Sequence, residues 1–131
     1  MSDNKPNDQP TDPAKCPTDG KEAKDVNAKI DEFVKSPSAC KKTVRENYEA
    51  FMTSECLTKE DKNNFSVMVK TCKDVLDSGS DDQKRTLIGL ILTLYIGDPC
   101  LANKYIPCVM DGINRILASK DTLKEITCDF F

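Results

Sequence analysis

Seven cysteines in 131 residues, with no histidine anywhere, constrain this chain more than any other feature. An even set of cysteines can pair off, whereas seven leaves one over. Nowhere do two stand in the Cys-x-x-Cys spacing of zinc or redox motifs, and the tightest interval is Cys100 to Cys108. Hydrophobic residues make up 38% of the chain and aromatic residues 6%, with no tryptophan, so the apolar core is thin for this length. Thin-cored small domains are commonly reinforced by disulfides, each contributing about 2–4 kcal/mol. The expectation is one domain, stapled by three disulfides and working in an oxidising, extracellular compartment.

The missing histidine also narrows the chemistry. It removes Ser-His-Asp and Cys-His nucleophilic sites, histidine-containing zinc sites and the usual proximal haem ligand. No glycine-rich phosphate loop occurs either. The acidic stretch Asp74, Asp77, Ser80, Asp81, Asp82 has no EF-hand spacing, and no glutamate closes a twelve-residue loop. Solvated, helix-capping acids explain it better. The chain therefore reads as a non-enzyme with no catalytic residue, no metal and no cofactor.

Net charge is −3, and lysines alternate with acids, so there is no basic stripe to suit nucleic acid. The longest apolar run, Leu87 to Ile96, is too short to span a bilayer and contains Gly89 and Thr93. The polar opening Met1-Ser2-Asp3-Asn4-Lys5 lacks the apolar core of a signal peptide, as expected of a mature secreted form.

Residues 1–17 hold Pro6, Pro10, Pro13 and Pro17 among polar residues, which predicts a disordered N-terminal tail. Residues 18–131 read as a single all-α domain. Asp19 with Glu22 forms a capping-box pattern ahead of Ala23, Val26, Ile30, Phe33 and Val34 at helical spacing. Ser36-Pro37 ends that helix and opens a second, burying Cys40, Val44, Tyr48, Phe51 and Met52. Thr58 with Asp61 starts a third, whose stripe runs from Phe65 through Cys72 to Leu76 and stops at Gly79. Ser80 with Gln83 caps a fourth that becomes apolar on every side, which marks a central helix. Gly97-Asp98-Pro99 breaks it, and Pro107 interrupts the short helix that follows. A further helix carries Cys108 to Leu117, and Asp121 caps a last turn. The fold class is a bundle of five or six short, mostly antiparallel helices.

In such a bundle, residues equidistant from a turn face each other across about 8–10 Å, within reach of a disulfide. That rule pairs Cys40 with Cys72, Cys56 with Cys100 and Cys108 with Cys128, leaving Cys16 in the tail. Cys16 with Cys56 also satisfies it. A spare Cys16 would be either a functionless thiol or the link of a disulfide-bonded homodimer.

Two binding functions fit a chain of this kind. One is a secreted interaction protein, such as a signalling factor, toxin or effector, acting on a protein partner through a helix face. Lys41, Lys42 and Arg45 form a local basic cluster for it, and Phe130 and Phe131 are a second candidate contact. The other is a carrier of a small apolar ligand, with Gly89 and Thr93 opening a pocket inside the bulky central helix. Disulfide-linked structural protein is a third class. Asn64-Phe65-Ser66 matches the N-glycosylation sequon. Asp98-Pro99-Cys100 through Cys108 resembles the carboxyl-terminal cysteine pair of insect odorant-binding proteins, an all-α family with three disulfides. The resemblance covers residues 98–108. It lacks the family's earlier Cys-x-x-x-Cys and implies no ligand-binding residues here.

Overall fold

A computed structural model of the chain describes Cys16, Pro17 and residues 19–126. Within them the architecture is all-α, with eight helices and no strand. They are α1 (Lys21–Lys35), α2 (Pro37–Met52), α3 (Lys59–Lys70), α4 (Cys72–Ser78), α5 (Asp81–Ile96), α6 (Pro99–Lys104), α7 (Ile106–Ala118) and α8 (Lys120–Glu125).

The count exceeds the expected five or six for local reasons. The predicted third helix divides at Thr71, where the backbone opens to φ −108° and ψ 14° and the hydroxyl donates to the Val67 carbonyl at 3.0 Å. Tyr105 separates α6 from α7, because Pro107 can sit only in the first turn of a new helix. Two expected caps are also displaced. Gly20, at φ +86°, rather than Asp19, is the residue from which α1 starts, and no side chain caps it. Ser119 rather than Asp121 caps α8, accepting from the Thr122 amide at 3.2 Å.

Helix α5 is the centre of the molecule. Its entry is a full capping box, with Ser80 Oγ accepting from the Gln83 amide and Gln83 Oε1 accepting from the Ser80 amide. Its exit is Gly97 in the left-handed region, φ +83°, where a β-carbon is strained. Leu87, Ile88, Ile91, Leu92, Leu94 and Ile96 are all buried because α1, α2 and α7 wrap the helix. Helix α1 packs on both α5 and α7, so the start of the domain lies against its last third. An ion pair from Arg115 Nη1 to Asp31 Oδ1 at 2.7 Å crosses the same α1–α7 contact. The carbonyls left over at the end of α5 are also met: Asn47 Nδ2 donates to Leu94 O at 2.7 Å, and Lys29 Nζ to Ile96 O at 3.3 Å.

The disulfides follow this non-sequential packing. Cys16 joins Cys108 across 92 residues with α-carbons 4.3 Å apart, and Cys56 joins Cys100 with α-carbons 5.3 Å apart. Cys72 is disulfide-bonded as well, while Cys40 is free and buried. Three expectations are thereby corrected. Cys16 is not the spare cysteine, Cys108 does not pair with Cys128, and Cys40 does not pair with Cys72. The turn-symmetry rule presumes that neighbours in space are neighbours in sequence, and the α1–α7 contact breaks that assumption. Cys40 instead points from α2 toward Tyr95 on α5. Cys16 and Pro17, assigned to the tail by composition, are held on the domain by the Cys108 bridge and by Asn27 Nδ2 donating to Pro17 O at 3.1 Å. Cys128, Phe130 and Phe131 lie outside the described residues.

Candidate functional site

An open groove of about 470 Å³ lies along α2 where it meets α3. Arg45, Glu46, Tyr48 and Glu49 line it from α2 and Val69 from α3. Spacing of three and four residues puts Arg45, Tyr48 and Glu49 on one helical face. The Tyr48 ring meets Phe65 with centroids 5.5 Å apart, and Phe65 in turn meets Phe51 at 4.8 Å. Phe51 and Phe65 are fully buried, so the apolar floor is anchored in the core. The rim is charged, with the exposed Arg45 flanked by the exposed Glu46 and Glu49. The groove therefore combines an apolar floor with a rim of both signs.

Of the basic cluster predicted on α2, Arg45 lines this groove. Lys42 is exposed on the same helix and Lys41 half-buried, but neither lines it. Glu46, Glu49 and Val69 were not nominated from the sequence. The two glutamates carried a readable signal, standing one and four residues from Arg45. Val69 carried none, because only the angle between α2 and α3 brings it there.

The glycine and threonine expected to open a pocket, Gly89 and Thr93, both have local packing or hydrogen-bond partners. A β-carbon on Gly89 would meet Ile113 Cδ1 at 3.0 Å, so a side chain of α7 occupies the space that the glycine leaves. The Thr93 hydroxyl donates to the Gly89 carbonyl at 2.8 Å and is satisfied within its own helix.

The free thiol lies elsewhere. Cys40 is buried, contacts the Tyr95 hydroxyl and stands near Glu32. Tyr95 Oη donates to Glu32 Oε1 at 3.1 Å, and its ring packs on Phe33 with centroids 5.7 Å apart. Burial pushes the Cys40 thiol above its ordinary value, the Tyr95 hydrogen bond opposes this, and the Glu32 charge adds to it. Tyr95 is raised too, by burial first and then by Cys40 and Glu32. A thiol held protonated in this way is a poor nucleophile. Cys40 is buried, and Cys16, expected to be either an unpaired thiol or the link of a homodimer, is bonded to Cys108 within the chain.

Among the described residues no group of three or more cysteine, aspartate or glutamate side chains is placed to hold a metal ion. No described helix is long and apolar enough to cross a membrane. No family model, curated protein or solved structure matches this chain.

Proposed function

We propose that this is a secreted, non-enzymatic interaction protein that binds a protein partner through the α2–α3 face. The observation that carries this reading is the groove itself: an apolar floor of Tyr48 and Val69 under a rim of Arg45, Glu46 and Glu49. Partner segments recognised by such a surface present an apolar anchor and charges of both signs. The anchor desolvates against Tyr48, and the rim charges set orientation and rejection of wrong partners. Disulfides spanning 92 and 44 residues support an oxidising, extracellular setting. The Cys56–Cys100 bridge also ties the connection between α2 and α3 to α6.

The test places a photo-crosslinking residue at Glu49, in the groove, and at Asp77 on α4 as control. Each protein is exposed to intact cells and tissue surfaces of its own source. A saturable adduct at Glu49, displaced by unlabelled protein and lost in Arg45→Glu, is the expected result. Equal adducts at both positions, or adducts insensitive to Arg45→Glu, would remove the groove from the account.

A further inference from the structure

We infer that Asn64 is an N-glycosylation site whose oligosaccharide stands on the solvent face of α3, over the exposed Val67 one turn on. Asn64-Phe65-Ser66 is the single Asn-x-Ser/Thr sequon in the chain. A sequon alone is weak evidence, and three structural observations strengthen it. First, Phe65 is fully buried in the aromatic cluster with Tyr48 and Phe51, and this pins the rotation of α3. With Phe65 inward, Asn64 is turned out to solvent and is exposed. Second, Val67 lies one turn on, close to Asn64 on the helical surface, and is 59% exposed, so the surface beside Asn64 is open to solvent. A sugar on Asn64 would shield it. Third, the disulfides fit an oxidising compartment, of which the eukaryotic secretory lumen, where N-glycosylation acts, is one.

The transfer is redox-neutral. The Asn64 side-chain amide nitrogen attacks the anomeric carbon of an oligosaccharide carried on a lipid diphosphate. A carbon–nitrogen bond forms, the bond from the anomeric carbon to the diphosphate oxygen breaks, and the lipid diphosphate leaves. The amide proton passes to a base of the transferase. The hydroxyl of Ser66 is the sequon's second requirement. Transfer to the chain before α3 has formed meets no helix; what the finished fold must provide is exposure of Asn64, which it has. The inference rests on the extracellular reading above and extends it to a eukaryotic secretory route.

The experiment expresses the full chain behind a secretory leader in eukaryotic cells and measures the intact mass of the secreted protein. The expected result is a heterogeneous mass above that of the polypeptide. Peptide N-glycosidase should remove it and leave aspartate at position 64, and Ser66→Ala should not carry it. Secreted protein at polypeptide mass with its disulfides formed would overturn the assignment while leaving the extracellular reading intact. The same spectrum reports disulfide state separately. Glycosylated protein without disulfides would therefore support the site and contradict the compartment argument.

Discussion

Cys40 illustrates how far one side chain can depart from what its spacing suggests. Its place on the buried stripe of α2 was readable, because Cys40, Val44 and Phe51 follow the helical period. Its partner was not, since the direction it faces depends on α5 rather than on the next helix in sequence. The result is a protonated thiol against Tyr95, and this predicts a pH dependence. In the unfolded chain Cys40 ionises near its ordinary value of 9.0 and Tyr95 near 10.0. In the folded protein both keep their protons to higher pH. Above 9.0 the native state therefore binds more protons than the unfolded one, and stability falls as pH rises. Below that value the contribution is fully present. Melting temperature measured across the alkaline range should fall from about the ordinary thiol value upward, and Cys40→Ala should fall less steeply. Parallel curves for the two proteins would contradict the assignment. At neutral pH the native protein should resist thiol-alkylating reagents until it unfolds.

Element boundaries were legible where a side chain caps its own helix. Ser80 with Gln83 and Thr58 with Asp61 announce α5 and α3, and both hydrogen-bond patterns are present. Legibility failed where the deciding group acts locally without a motif, as with the Thr71 hydroxyl that ends α3 on the Val67 carbonyl. Nor could the sequence distinguish two helical glycines with opposite roles. Gly112 on α7 is where three helices meet: a β-carbon there would lie 2.6 Å from Ile30 Cγ2 and 3.2 Å from Leu92 Cδ1. At Gly89 the same atom would meet only the movable end of Ile113. Alanine is favoured over glycine in a helix by about 1 kcal/mol. Gly89→Ala should therefore be near neutral in urea unfolding. Gly112→Ala should destabilise by about 1–3 kcal/mol, since overpacking outweighs propensity. Equal effects at the two positions would mean that α1, α5 and α7 do not approach as closely as described.

At the scale of the whole molecule, the all-α class and the buried central helix follow from apolar periodicity, but the wiring does not. Sequence separation says nothing of α1 lying on α7, and that contact sets the Cys16–Cys108 bridge. The bridge closes a 92-residue separation. A loop of that size gives a disulfide much of its stabilisation by restricting the unfolded chain, about 2–4 kcal/mol in typical cases. Cys16→Ala should lower the unfolding free energy by about that amount, whereas Cys40→Ala should lose only a small buried group, about 1 kcal/mol. Denaturant titration of the two variants gives the order directly. The most direct test of the account is a cysteine map of the oxidised protein, alkylated in denaturant without reductant and then digested. The predicted result is a single alkylated thiol at Cys40, with Cys16 linked to Cys108 and Cys56 to Cys100. Cys72 should appear in a further linked peptide. An alkylated Cys16, or a peptide joining Cys40 to Cys72, would contradict the account.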